Sequence, residues 1–392
     1  MKFNNLIILL FLSFIMMISG CSLLNLNKIN NFNKSLYEKN NKFYLFKIWD
    51  FKLKKNKNIF NINPIIDKSI IFIASKNGKV YALNINNGKK IWKRDLSIYS
   101  NIFLKNIEHL SGGLSKNKNK IYIGSENANL YSLNSQNGSI IWSSSVSGEV
   151  LSTPIIKNGF IFVHTGNGMI QSLYEYNGLI KWTLNLDNSL FSLRKDCDPV
   201  IYNKNIIVGD NEGNLNSINI KTGKIIWKKK INIKNNEKEN NLYLQGIKSK
   251  PIIYDNIIYT TSCNGNIFAL DAKSGKTIWH KNIGSLINML LDNFCLYLVD
   301  KNDNIISINI NNGSIIWKQN ILINKNITSP ILYKNYLLFG DKKGYIYWIN
   351  KKNGNLFIKQ KIDNNKILNI INNKDNQIII QSEKGYISSF TI

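Results

Sequence analysis

A short phrase recurs along this chain and constrains its fold more than any other feature. It runs from a small residue through Asn or Asp (Tyr174 in one copy) to a Gly, and a Trp follows that Gly four positions later. The pairs of Gly and Trp are Gly88 and Trp92, Gly138 and Trp142, Gly178 and Trp182, Gly223 and Trp227, Gly275 and Trp279, and Gly313 and Trp317. Copies spaced by roughly 40–50 residues predict an array of repeated structural units.

Each part of the phrase has a structural role. Residues 80–83 form a short strand-like run and a β-branched run precedes each Trp, so the two runs predict a pair of antiparallel strands. Asp271 can hydrogen-bond the backbone of its own turn, and Gly275 supplies the positive φ that the turn requires. Two more short runs precede each hairpin, as at residues 251–254 and 257–262. Four strands per repeat are typical of a propeller blade.

The small residue and the Trp predict how the repeats pack. The indole offers a large flat apolar face, and a small residue leaves room for that face beside neighbouring backbone. In the seventh copy, Trp348 stands at the small position and Ile358 at the Trp position, which predicts that the two sides exchanged volume in the core. An ordinary β-sandwich is the alternative, but it does not repeat one phrase at a near-constant period.

The two ends of the chain complete the count of blades. Residues 385–390 restart the phrase just before the chain stops, and residues 48–53 match its last strand. An eighth blade shared by both termini would close the ring and remove the open sheet edges. The sequence therefore predicts an all-β fold, an eight-bladed β-propeller with tryptophan-docking repeats and a last blade shared by the N- and C-termini.

The N-terminus has the composition of a secretory signal. Lys2 precedes an apolar run at residues 6–17, which is too short to span a bilayer comfortably, and small residues lead to Cys21. The ending Ile-Ser-Gly-Cys resembles a lipobox, with Cys21 as the lipidation site and mature N-terminus; an ordinary cleaved signal is the alternative. We thus expect a lipoprotein signal peptide at 1–20, a lipidated polar tether at 21–43 and the propeller at 44–392.

The charge of the chain suggests an anionic partner at first sight. The formal net charge is +27, but only Arg94 and Arg194 are arginine, so Lys supplies 49 of the 51 basic residues. Abundant Lys, Asn and Ile indicate an AT-biased genome. In the sequence, the lysines are scattered through turns and strand faces with no single stripe, and nucleic-acid binding needs clustering on one face. No nucleic-acid partner is expected.

The repeated phrase is similar to the tryptophan-docking motif of pyrroloquinoline-quinone-type propellers. Within that group, the chain resembles the BamB-type lipoproteins of the outer-membrane β-barrel assembly machinery, from about residue 44 to its end and in its lipoprotein signal. The resemblance implies a non-enzymatic scaffold that aids folding and insertion of β-barrel proteins. It also implies a lipid-anchored location on the periplasmic face of a Gram-negative outer membrane. The implied partners are periplasmic domains of the BamA-like barrel assembly protein.

The resemblance also points to a partner-binding stretch. Members of this family bind the barrel protein through the connection between two blades, and Phe191, Leu193 and Arg194 are the matching positions here. An apolar pair beside an Arg is a typical interface anchor. Family members place an acidic pair in the following connection, where this chain has Gly246 and Lys248. The alternative is a Leu packed under its own loop beside a stray Arg.

An enzymatic role is the main competing class. A reduced quinoprotein-like dehydrogenase would need acids and amides converging on the ring axis and often a vicinal cysteine pair, and this sequence has no adjacent cysteines. His109, His164 and His280 lie far apart, with no catalytic grouping or metal spacing. We therefore expect no catalytic residues, no metal and no cofactor. A periplasmic interaction propeller with another partner is the third possibility.

Overall fold

The computed structural model describes residues 44–53, 62–99, 105–187, 197–231, 246–263, 265–373 and 376–392. Phe46–Thr391 form one compact unit. Every regular element in the described ranges is a β-strand, and none of them is a helix that could cross a bilayer. The strands form eight four-stranded antiparallel sheets and one two-stranded ribbon.

We number the sheets as blades 1 to 8 and call the successive strands of each blade A, B, C and D. Blade 1 holds β2 (Ile65–Asp67), β3 (Ile70–Ser75), β4 (Lys79–Asn84) and β5 (Lys90–Asp95); the ribbon is β6 (Ile98–Tyr99) with β7 (Lys105–Asn106); blade 2 holds β8 (Ser115–Asn117), β9 (Lys120–Gly124), β10 (Asn129–Asn134) and β11 (Ile140–Ser145); blade 3 holds β12 (Ile155–Lys157), β13 (Phe160–His164), β14 (Met169–Tyr174) and β15 (Ile180–Asn185); blade 4 holds β16 (Val200–Tyr202), β17 (Asn205–Gly209), β18 (Asn214–Asn219) and β19 (Ile225–Lys230).

The remaining blades follow the same order along the chain. Blade 5 holds β20 (Ile252–Tyr254), β21 (Ile257–Thr261), β22 (Ile267–Asp271) and β23 (Thr277–Lys281); blade 6 holds β24 (Leu290–Asp292), β25 (Cys295–Val299), β26 (Ile305–Asn309) and β27 (Ile315–Gln319); blade 7 holds β28 (Ile331–Tyr333), β29 (Tyr336–Gly340), β30 (Tyr345–Asn350) and β31 (Leu356–Lys361); blade 8 holds β32 (Ile367–Asn373), β33 (Gln377–Ser382) and β34 (Tyr386–Thr391), with β1 (Phe46–Lys52) as its D strand.

Blade 8 joins the two ends of the chain as the sequence predicts. Its strand order is β1-β34-β33-β32, and Trp49 on β1 lies opposite Ser389 on β34. This pair corresponds to the Trp and small residue of the other blades, such as Trp142 and Ser132. The predicted all-β, eight-bladed propeller with a shared last blade is confirmed.

The core lies between neighbouring blades because B and C strands are covered on both faces. In blade 1, four consecutive residues are buried on β3 and four on β4, whereas β5 has exposed positions. Phe72 and Ala82 of blade 1 share one apolar cluster with Ile121 and Tyr131 of blade 2. The B and C strands of blade 1 contain continuous apolar runs because both faces of the sheet are buried there.

Each docking Trp packs against the blade that follows it. Its indole lies over the Gly of the next C–D turn, so closely that a Cβ on that Gly would lie 2.5–2.8 Å from the ring. Its Nε1–H donates to a carbonyl oxygen three residues before that Gly, at 2.7–3.3 Å. The donor and acceptor residues are Trp49 and Ile85, Trp92 and Ser135, Trp142 and Glu175, Trp182 and Ile220, Trp227 and Ala272, Trp279 and Ile310, and Trp317 and Lys351.

The exception in blade 7 follows from the shared blade. Blade 8 has no C–D turn, because its C strand ends at Thr391 and its D strand begins at Phe46. A Trp at position 358 would therefore have no glycine turn to cover. Ile358 lies opposite Trp348, which is fully buried, so the predicted exchange of volume across this pair is present.

The propeller has two faces with different kinds of turn. The hairpin face holds the A–B and C–D turns, and the connection face holds the B–C turns and the links between blades. Side-chain bonds tie hairpin-face turns of adjacent blades together, as between Tyr202 Oη and Asn256 Oδ1 at 2.9 Å and between Asn117 Nδ2 and Glu175 Oε1 at 2.7 Å. The chain enters the sheet at Phe46, opposite Thr391 and hence at the hairpin face.

Candidate functional site

The predicted partner-binding stretch lies in the sequence between the D strand of blade 3 and the A strand of blade 4. Phe191, Leu193 and Arg194 lie outside the described residues, as does Cys21. The structure does describe both ends of the connection that carries the stretch, which are Asp187 and Cys197. It likewise describes Ile231 and Gly246, the ends of the following connection.

The four ends are fixed to the ring by backbone hydrogen bonds and burial. Leu186 donates its N–H to Gly168 O at 2.9 Å, and Ile231 donates to Gly213 O at 3.0 Å. Ile247 donates to Asp210 O at 3.0 Å, and Cys197 is buried with its Sγ 3.4 Å from Ser249 O. Both connections therefore begin and end beside residues that are hydrogen-bonded to the ring or buried in it.

A polar network joins the two connections. Asp187 Oδ2, in the first, accepts the backbone N–H of Asn211 at 2.9 Å. Lys248 Nζ, in the second, donates to Asn211 Oδ1 at 2.6 Å. Because Asn211, in the B–C turn of blade 4, contacts both, the described ends of the two connections lie side by side.

Lys248, which stands where family members place an acidic residue, is a buried member of this network. Lys248 is only 4% exposed, its ammonium group contacts Asn211, and its Cε lies near Gly246. A buried ammonium group needs partners, since an unpaired charge is costly away from water. Lys248 thus helps to hold the two connections together, and its replacement would disturb the ring as well as any docking surface.

Acidic residues in the neighbouring turns have structural roles. Asp210 Oδ1 accepts the N–H of Asn214 at 2.7 Å, and its Oδ2 accepts from the Nδ2 atoms of Asn214 at 2.9 Å and Asn216 at 3.2 Å. Burial raises the pKa of the Asp210 carboxyl group, and these hydrogen bonds together with Lys228 oppose that shift. Asp300 and Asp341 accept backbone N–H groups at the same turn position in blades 6 and 7. These acids close turns and do not converge on a common point.

The histidines do not form a reactive group. His164 is buried in blade 3 with its Nδ1 3.4 Å from Cys197 O, and His280 is exposed in blade 5 and stacks on Phe268. Within the ranges that the structure describes, no three His, Cys, Asp or Glu side chains form a set that could bind a metal ion.

Charge differs sharply between the two faces. The described turns of the hairpin face contain eleven lysines and two carboxylates, which gives a net charge of +9. The B–C turns of the connection face contain five lysines and seven carboxylates, which gives a net charge of −2. The hairpin-face residues are Lys68, Lys89, Lys118, Lys204, Lys221, Lys224, Lys273, Lys276, Lys334, Lys351 and Lys352, with Glu175 and Asp255; those of the B–C turns are Lys76, Lys301, Lys342, Lys343 and Lys384, with Glu126, Asp210, Glu212, Asp300, Asp303, Asp341 and Glu383. The expectation that the lysines form no single stripe is therefore wrong for these turns, where they concentrate on the hairpin face.

Comparison with known proteins supplies the family. The family model described as "Outer membrane protein assembly factor BamB" matches residues 76–319. A relative of that name from Moranella endobia is 34% identical over 306 residues, 77% of this chain and 79% of its own length. Another from Yersinia pestis is 34% identical over 328 residues, 83% of each chain. The crystal structure of BamB from Moraxella catarrhalis shares the fold, with a TM-score of 0.77 at 17% identity, covering 89% of this chain and 100% of that one.

Proposed function

This chain belongs to the BamB family of outer membrane protein assembly factors, and we propose that it is a non-enzymatic scaffold that aids folding and insertion of β-barrel proteins into the outer membrane. The family match over most of the chain is the observation that carries this function. The relatives are assembly factors, so the dehydrogenase alternative is set aside. Membership of the family also implies association with the outer membrane and its assembly complex.

The finer location follows from the N-terminal sequence. We propose that Cys21 carries the lipid and that residues 21–43 tether the propeller to the periplasmic face of the outer membrane, after removal of a signal at 1–20. A single acyl chain binds a bilayer only marginally, so firm anchoring requires the several chains of a mature lipoprotein.

Replacing Cys21 by Ser tests the anchor. The Cys21→Ser protein should carry no lipid and should leave the membrane fraction, because the one residue able to accept the acyl groups is gone. Fractionation of cell envelopes followed by mass spectrometry of the N-terminus measures both effects. Ser22→Ala is the matched control and should remain lipidated. An unchanged membrane association of Cys21→Ser would contradict lipidation at this residue.

The proposed docking surface is the stretch containing Phe191, Leu193 and Arg194, and its partner is the set of periplasmic domains of a BamA-like barrel protein. Support comes from the ends of this connection, which the Asp187–Asn211–Lys248 network holds beside the next one. A stretch fixed at both ends loses less conformational freedom when it binds a partner. Lys248 is occupied within the ring, so the complementary charge at this surface would come from Arg194.

Truncating the anchors should abolish co-purification. The protein with Leu193→Ala and Arg194→Ala should lose its barrel partner from solubilised outer membranes, since losing a central anchor costs ~2 kcal/mol or more, about 30-fold in affinity. Its melting temperature should stay near that of the wild type. The matched control carries Leu179→Ala and Lys224→Ala, which change one exposed Leu and one exposed cation on the hairpin face.

Two outcomes would count against this docking surface. Normal co-purification of the double variant would show that the barrel protein binds elsewhere. If the control variant lost the barrel partner to the same extent, charge and apolar area would matter regardless of the face that carries them. Neither outcome would affect the assignment of the family.

A further inference from the structure

The hairpin face combines its positive charge with exposed aromatic side chains. Tyr176 is 67% exposed, Phe294 62%, Phe46 60% and Tyr254 44%, and in the described part of the chain these are all the strongly exposed aromatic residues. Tyr176 lies in a C–D turn, Phe294 lies in an A–B turn, and Tyr254 and Phe46 lie at strand ends beside such turns. Large aromatic side chains exposed on one face of a protein indicate a contact surface.

Codon bias does not explain where the lysines of these turns lie. It acts on every turn of the chain alike, whereas the hairpin-face turns carry +9 and the B–C turns −2. The two sets of turns alternate along the same repeats, so they differ mainly in the face to which they belong. The asymmetry is therefore a property of the folded ring.

We propose that the hairpin face rests on an anionic phospholipid bilayer. Lysines near such a surface are attracted by its negative potential, and aromatic rings insert at the level of the headgroups. The sheets hold these turns in one layer, so many lysines can approach a flat surface together. The aromatic residues belong to blades 3, 5, 6 and 8, so they are spread around that layer.

The entry point of the chain supports a membrane as the occupant. The polypeptide joins the propeller at Phe46, on the hairpin face, and residues 21–43 precede it. A lipid at position 21 would therefore be connected to the propeller through the face that carries the lysines and aromatic rings. The connection face would remain open for a protein partner. The proposed membrane contact does not depend on the docking surface proposed above, since the two involve opposite faces of the propeller.

Vesicle binding by the unlipidated chain tests the contact. We would use residues 22–392, which lack the apolar signal and Cys21 and retain all eight sheets. This protein should sediment with vesicles of phosphatidylcholine that contain phosphatidylglycerol, and not with phosphatidylcholine alone. Binding should weaken as salt is raised, because ions screen exposed charges beyond about 10 Å at 0.1 M ionic strength. Absence of binding to the anionic vesicles would overturn the proposal.

Two quadruple variants separate the face from the net charge. The first replaces Lys221, Lys224, Lys273 and Lys276 by Gln in neighbouring blades of the hairpin face. The second makes the same change at Lys301, Lys342, Lys343 and Lys384 of the connection face. We expect at least ~10-fold weaker vesicle binding for the first, since each lysine near the surface contributes roughly fivefold, and little change for the second. Equal weakening would mean that net charge alone governs binding, and it would overturn the proposal.

The aromatic residues distinguish a bilayer from a soluble polyanion. The variant with Tyr176→Ala and Phe294→Ala keeps the net charge and should bind the anionic vesicles several-fold more weakly. It should bind inorganic polyphosphate as the wild type does. Unchanged vesicle binding of this variant would identify a general polyanion surface and contradict the bilayer. Thermal melts of all variants show whether the ring remains folded.

Discussion

Deletion of residues 385–392 should destabilise the entire propeller by at least about 4 kcal/mol and end its cooperative melting. This segment contains β34, which lies between β33 and β1 and pairs with both. Its loss removes the buried Ile387 and Phe390 from the core and leaves β1 without a strand partner. Trp49 on β1 would then lose its fixed position over Gly88 of blade 1, so the damage reaches the joint between the first and last blades.

An equal deletion in the predicted tether is the control. Removing residues 30–37 takes out eight residues, the same number, and leaves every described strand intact. Thermal unfolding followed by circular dichroism compares the two proteins. Equal melting temperatures would contradict the idea that the shared blade closes the ring.

The architecture was predictable because a blade is encoded within one short phrase. The small residue, the turn-forming Asn or Asp, the Gly and the Trp all lie on two adjacent strands, so their roles can be judged from local spacing. The Asn side chains do close their turns, as Asn84 Oδ1 does by accepting the N–H of Asn86 at 2.9 Å. Closure was predictable for the same reason, since residues 48–53 and 385–390 are two parts of one phrase.

Contacts between blades were less predictable. The spacing pairs each Trp with the Gly four residues before it, yet in the ring that Trp covers the Gly of the next blade. The hydrogen bond between Lys248 and Asn211 joins residues that are 37 positions apart in the sequence, and neither residue has an unusual local sequence. The positive charge of the hairpin face was equally hard to predict, because lysines in separate turns become neighbours only when the blades pack around the ring.

The predicted partner site rests on the family resemblance alone, because the repeats give no information about it. Phe191, Leu193 and Arg194 have no repeated counterpart in the other blades, so internal comparison gives them no structural role. What the structure adds is the polar network at the ends of their connection. That network involves Asp187, whose part could not be inferred without the B–C turn of blade 4.

Glycine at the docking position is required for two separable reasons, conformation and space. Gly138 has a φ of +71°, and a Cβ there would lie 2.5 Å from Cε3 of Trp92. Gly159, in the A–B turn of blade 3, has a φ of +78° and no atom within 4 Å of the same position. An alanine at either site bears the cost of a left-handed backbone, about 1–2 kcal/mol. Only the alanine at 138 meets the indole.

Gly138→Ala should therefore lower the free energy of unfolding by about 2 kcal/mol or more beyond Gly159→Ala. The extra loss comes from pushing the Trp92 ring out of a close-packed joint and from weakening its 3.0 Å hydrogen bond to Ser135 O. Urea denaturation of both variants measures the difference, and quenching of tryptophan fluorescence should rise only for Gly138→Ala as the indole gains contact with water. If the two variants lost equal stability, the backbone conformation alone would explain the glycine, and the indole would not be what holds successive blades together.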